Sequence, residues 1–313
     1  MVRQVATMVR REFRAMNTDC LVILRPGPDG NADADVERAV MRVRECEERY
    51  SRFLPSSDLS CLNGDPRDHV PVSAELAGLL DRAIGYARLS GGIFDPVVLT
   101  EMLSIGYDRS FEHLPASTDC RPVRARRFRW TDVSVDVGPR LVTRPPGAMI
   151  DLGGVAKGAA ADAAMAELAG HYGALVDLGG DICTTGGPGD ADFWLVGTED
   201  GAGRTRDVVS MRYGAIATSS VRKRRWTNNG TPVHHVIDPR TGRPASSNAD
   251  QCSAIADRVE QAEIAAKVGL VLGVGSLNER DHVGKTLRLR GVAWVGSDSA
   301  DASTTGWRNY VHG

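Results

Sequence analysis

GAMIDLGGVAKG, Gly147 to Gly158, and GALVDLGGDI, Gly173 to Ile182, are two versions of one phrase in which a short apolar run enters an acidic turn with paired glycines. Without side chains, Gly153 and Gly154 let backbone N–H groups come close to an anion, and Lys157 stands just inside the Ala-rich helix that follows. A chain makes room for a phosphate in this way. From Gly147 to Leu178 the order is strand, glycine turn, helix, strand, which is the grammar of a crossover unit and predicts an α/β fold. Two copies are too few for a solenoid, so they read as similar solutions to one local geometry.

Upstream, Arg11 to Leu24 predicts a strand ending at the turn PGPDGN. Asp33 to Phe53 predicts an amphipathic helix with Val36, Val40, Val43, Cys46, Tyr50 and Phe53 on one face and Asp33 as its cap. SSDLSCLN reads as a polar link to a second helix, Ala74 to Leu89, which stops at Gly91 and Gly92. FDPVVLTEMLSIGYD gives a turn and a short helix, and Arg-rich alternation from Pro115 to Pro146 predicts a meander of short strands at one edge. Downstream, strands dominate from Phe193 to Ile237, a helix runs from Val259 to Gly273, and Thr286 to Val295 is the last strand. No low-complexity linker divides the chain, so one continuous unit over residues 1–313 is expected, with lobes of about 1–146 and 147–313.

Composition excludes several function classes. A formal charge of −2 with 25% charged residues provides no global field for nucleic acid or a membrane surface. No stretch approaches the roughly 18 apolar residues needed to cross a bilayer. The N-terminal MVRQVATMVRREFRAM interrupts its apolar pieces with arginines and lacks the h-region of a secretion signal, so a cytoplasmic location is expected. Six scattered cysteines without a CxxC pair argue against a zinc site or a disulfide framework.

Further blocks carry chemistry: RYSRFLPSSDLSCLN (Arg49 to Asn63), GGIFDPVVL (Gly91 to Leu99), AIATSS (Ala215 to Ser220) and HHVIDPRTGRP (His234 to Pro244). Each is weakly specific alone, because DPRTG is a turn and GGxxKG a generic anion loop. Taken in order with DLGGVAKGAAAD, ALVDLGGDI and the late helix, they are specific. From Met16 to about Gly273 the sequence resembles the FAD:protein FMN transferase family, also called ApbE-like proteins. The resemblance implies a T-fold-related α/β architecture of mixed sheets with packed helices in two lobes. It also implies a reaction: a Ser or Thr hydroxyl of a partner protein attacks the flavin-side phosphorus of FAD, and AMP leaves.

By that resemblance Met16, Phe53, Ile93, Phe94, Asp95, Asp151, Lys157, Thr218, Ser219 and Ile237 fall at FAD-contacting positions, while His235 and Asp238 match the HxxDP pair that removes or orients the proton of the attacking hydroxyl. Plainer readings stand beside these. Phe53 fits the apolar stripe of its helix, Lys157 fits a solvated turn, and Asp-Pro at Asp95 fits a helix start. Asp162 is expected as a structural partner on the Ala-rich helix. The run Arg222 to Arg225 is either a solvated face or a draw for the AMP half of FAD.

The chain departs from the family at two places. Ser220 replaces a usual Gly. In the late helix, Glu263 and Lys267 stand where the family carries an Asp and a Thr that bind Mg²⁺ with a backbone carbonyl near Gly154. One turn apart, Glu263 and Lys267 also form an ordinary helix ion pair. The expectation is FAD binding without a tightly held metal. Two rival functions remain open here: a FAD-binding or flavin-storage protein without transfer activity, and a pyrophosphatase giving FMN and AMP.

Overall fold

Two consecutive residues break the strand expected from Arg11 to Leu24. Met16 and Asn17 adopt φ of 51° and 58°, so the segment folds back as a hairpin of β1 (Val9–Ala15) and β2 (Thr18–Arg25). Left-handed conformation at both central residues matches the twist of a two-residue hairpin. The computed structural model describes residues 8–28, 31–121, 128–189, 191–200, 203–297 and 300–312. Residues 1–7, part of the PGPDGN turn and part of the Arg-rich stretch lie outside the described residues.

Helix α1 (Ala32–Tyr50) buries Val36, Val40, Val43 and Cys46 as its periodicity requires. Its cap is Asn31, whose side chain accepts the Ala34 N–H at 3.3 Å, and not Asp33, which lies in the first turn. The helix ends at Tyr50, so Phe53 leaves the apolar stripe. SSDLSCLN is no polar link. It forms helix α2 (Asp58–Gly64), because Ser57 caps it by accepting the Ser60 N–H and Leu59 and Leu62 supply a buried face. Helix α3 (Ala74–Leu89) ends ahead of Gly91 and Gly92, both with positive φ, and α4 (Leu99–Ser104) follows the FDP turn.

The main sheet has eight strands. After β1 and β2 come β3 (Gly173–Leu178), β4 (Ile182–Gly186), β5 (Gly214–Ser220), β6 (Ala249–Ala256), β7 (Gly291–Gly296) and β8 (Ala302–Ser303), in the same order across the sheet as along the chain. Every neighbouring pair is antiparallel, so this sheet contains no crossover unit among the described residues. The run before the first glycine pair is not a strand, for a reason visible in its hydrogen bonds. Asn63 donates to the Ile150 carbonyl and accepts the Ile150 N–H, both at 2.8 Å, and the Asp151 N–H donates to the Pro96 carbonyl at 2.8 Å. Side chain and loop thus replace a sheet ladder. The last long strand begins at Gly291, since His282–Thr286 is helical. The short strands between Pro115 and Pro146 join small separate sheets and not the edge of the main one.

Helices α5 (Ala156–Ala166) and α6 (Val259–Leu272) pack on one another. The largest apolar cluster joins Leu59, Leu79 and Ile150 to Ile264 and Trp294, and so draws on both halves of the chain. Close approach of the two helices depends on Gly158, where an added Cβ would lie 2.8 Å from the backbone N and Cα of Glu260. Gly158→Ala is expected to destabilise the fold by about 1–3 kcal/mol through overpacking. Urea unfolding with an unchanged slope and a lowered midpoint checks this.

Candidate active site

The glycine turn that enters α5 is held by charge as well as by Asn63. Asp151 is buried; its Oδ1 accepts the Gly153 N–H at 2.9 Å and its Oδ2 pairs with Arg52 Nε at 2.8 Å. The Gly153 N–H is therefore already taken, against the expectation that it reaches an anion. Arg52 is only 6% exposed and lies between the Phe53 ring at 4.1 Å and the Tyr107 ring at 4.6 Å. Two aromatic faces and one carboxylate stabilise a guanidinium withdrawn from water. Among the described residues its Nη2 has no hydrogen-bond partner.

Behind the turn, Lys157 pairs with Asp181, which follows the second glycine pair, and its Nζ lies 3.5 Å from Glu263 Oε1. Burial lowers the Lys157 pKa against the opposing pull of Glu263, and the charges of Lys267 and Arg224 lower it further. Glu263 Oε2 accepts the Gly158 N–H at 2.9 Å, and Oε1 also lies 3.9 Å from Lys267 Nζ. Asp162 works between helices. It accepts the N–H groups of Val259 and Glu260 at 3.0 and 3.2 Å and so caps α6, not its own helix.

Two cavities, of about 500 and 550 Å³, adjoin at this point. Met16, Phe53, Ile93, Phe94, Tyr107 and Ile237 line the first, together with Asp95, Asp151 and Gly154. Thr218, Ser219, Asp177, Asp181, Gln251 and Glu263 line the second. The walls share Gly153, Lys157, Arg224, His235 and Lys267, so three cations and an imidazole stand along one seam. The basic run divides: Arg222 pairs with Asp250, Lys223 pairs with Glu199, and Arg224 turns to the seam.

His235 lies in the break between the strand Thr231–His234 and the short strand Ile237–Asp238, with its ring edge-on to Tyr107 at 6.5 Å. Among the described residues its Nδ1 has no hydrogen-bond partner. Burial pushes its pKa well below the ordinary 6.5, and the Arg224 and Lys267 charges add to the shift. Asp238 is placed differently. Its carboxylate accepts the Arg240 N–H at 2.9 Å and grips that guanidinium, which clamps the DPRTG turn, and it lines neither cavity. Asp95 likewise binds backbone, accepting the Val97 N–H at 2.8 Å, although it also reaches the first cavity. Thr218 shares a hydrogen bond of 2.8 Å with Ser253 inside the sheet. Arg52, Tyr107 and Asp181 escaped the sequence reading as site residues. Only their places inside or beside the quoted blocks pointed to them.

The sequence model of the ApbE family matches residues 16–281. The chain belongs to the ApbE family. Among its ApbE relatives, the FAD:protein FMN transferase of Treponema pallidum (strain Nichols) is 33% identical over 269 residues, covering 79% of this chain and 73% of that protein. The ApbE protein of Thermotoga maritima superimposes with a TM-score of 0.85 at 23% identity, covering 98% of this chain and all of that one. The flavin transferase ApbE of Vibrio cholerae gives a TM-score of 0.80 at 19% identity over 97% of this chain and 99% of that one. At such identities the two structures establish the ApbE fold alone, and it is the mixed α/β architecture expected from the sequence. Among the described residues no helix is long and apolar enough to cross a membrane.

Proposed function

We infer that this chain transfers FMN from FAD to a Ser or Thr hydroxyl of a partner protein and releases AMP. The observation that carries the reading is the seam, where an aromatic cavity and a polar one meet at Lys157, Arg224, Lys267 and His235. An isoalloxazine suits the aromatic side and an adenosine the polar side. The diphosphate between them then spans the three cations. In the transfer, the hydroxyl oxygen bonds to the flavin-side phosphorus and the bond from that phosphorus to the bridging oxygen breaks. AMP leaves with the electron pair, and the hydroxyl proton passes to the His235 ring. Phosphoryl chemistry of this kind asks a protein mainly for position and positive charge.

The residues at the family's Mg²⁺ position do not fit a divalent cation. Such an ion needs several oxygen ligands, whereas Glu263 is engaged by the Gly158 N–H and faces two ammonium groups. Among the described residues no group of three or more His, Cys, Asp or Glu side chains is arranged to hold a metal.

The test is incubation of the protein with FAD, with and without a candidate acceptor, followed by AMP release and by flavin fluorescence on a denaturing gel. The expected result is a fluorescent acceptor with AMP formed only when the acceptor is present. Acceptor-independent AMP would mark a pyrophosphatase, and bound FAD with neither product would mark a storage protein.

A further inference from the structure

We propose that the Lys267 ammonium replaces the divalent cation in this chain, so that the diphosphate of FAD is held by protein cations alone; the proposal rests on the flavin-transferase reading above. Lys267 does not extend into solvent as a helix-surface lysine would. Its stem fills the hollow over the glycine turn, where a Cβ added at Gly154 would lie 2.9 Å from Lys267 Cε and 2.9 Å from Phe94 Cε2. The stem is thereby packed between the turn and the aromatic cavity, and the ammonium is delivered to the seam shared by both cavities.

Charge at the seam is consistent with this role. Asp177, Asp181 and Glu263 set three carboxylates against the three cations Lys157, Lys267 and Arg224, so the Lys267 ammonium offsets charge that a bound cation would otherwise have to neutralise. A diphosphate laid along the seam meets the three cations directly, and a divalent cation there would face the Lys267 ammonium at close range. Glu263 takes a different part from a metal ligand. One of its oxygens ties α6 to the start of α5, and the other faces both ammonium groups and offsets their mutual repulsion at the seam.

The test is FAD affinity of the full chain, measured by flavin fluorescence quenching in EDTA and in millimolar MgCl₂, with titration calorimetry of MgCl₂ into the FAD-loaded protein. Wild type is expected to bind FAD with a Kd that changes less than about twofold between the two conditions, and calorimetry is expected to show no saturable metal site. Lys267→Met is expected to weaken FAD binding by about tenfold or more in both, as loss of a charge-assisted contact should, while Lys267→Arg stays within about threefold of wild type. Tightening of wild-type binding by Mg²⁺ of more than about tenfold would overturn the proposal, as would a stoichiometric metal site or a folded Lys267→Met protein with wild-type affinity. The wild-type measurements decide even where the Met variant fails to fold. FAD binding to wild type in neither condition would instead overturn the transferase reading itself, and this proposal with it.

Discussion

His235→Asn is expected to lower the rate of FMN transfer by about 10²- to 10⁴-fold, the range for loss of a positioned proton acceptor. Its FAD affinity should change little, so the loss falls on the chemical step and not on binding. The ring is neutral in the resting protein, because burial beside Arg224 and Lys267 disfavours the imidazolium. A diphosphate bound at the seam would offset those two charges and so would raise the basicity of the ring. The same environment makes stability depend on pH. A histidine with a depressed folded pKa binds fewer protons folded than unfolded, so its contribution is present above 6.5 and is lost as pH falls below that value. Wild type should therefore lose stability on acidification from neutral pH more steeply than His235→Asn. Chemical denaturation across roughly pH 5 to 8, the range over which histidines titrate, reads this out. Wild-type transfer rates in the variant would remove His235 from the proton path, and equal slopes would show that folding does not hold its pKa below the ordinary value.

Arg52→Met carries the largest expected loss of stability, about 3–5 kcal/mol, because it strands a buried carboxylate. Asp151 would keep only the Gly153 N–H, and its Oδ2 would lose the charge that now faces it at 2.8 Å. The aromatic faces of Phe53 and Tyr107 would lose their shared cation as well. Arg52→Met combined with Asp151→Asn should recover a large part of the loss, since no charge is then left buried and unpaired. Equilibrium unfolding of the two single variants and the double variant measures the coupling. A coupling near zero would show that the pair does not hold the turn. Arg52→Met should also weaken FAD binding, because Asp151 fixes the turn that carries Gly153 into the seam.

Much of this was readable from local pattern. The stripe of α1, the run of α3, the short α4 and the extent of α6 up to Gly273 follow from apolar spacing and glycine stops, which are short-range signals. Where local reading went astray, a distant partner was responsible. Gly147 to Leu152 has the apolar run of a strand, but Asn63 and Pro96 satisfy its backbone, so it never enters a sheet. SSDLSCLN looks polar until Leu59 and Leu62 find a core to enter. Asp238 reads as a catalytic partner through its match to the HxxDP pair, and in the fold its carboxylate binds Arg240.

Block order along the chain was enough to place it in its family, and single residues such as Lys157 and His235 were enough to name the chemistry to look for. Which groups share one seam was decided by folding. Lys157 and Glu263 are separated by 106 positions, and Arg52 and Asp151 come from opposite ends of the helical insertion between β2 and β3. Spacing along a chain reports the face of one helix or strand. It carries no information on which buried charge will neutralise another across the core, because that pairing is selected by desolvation and packing only once the elements have met.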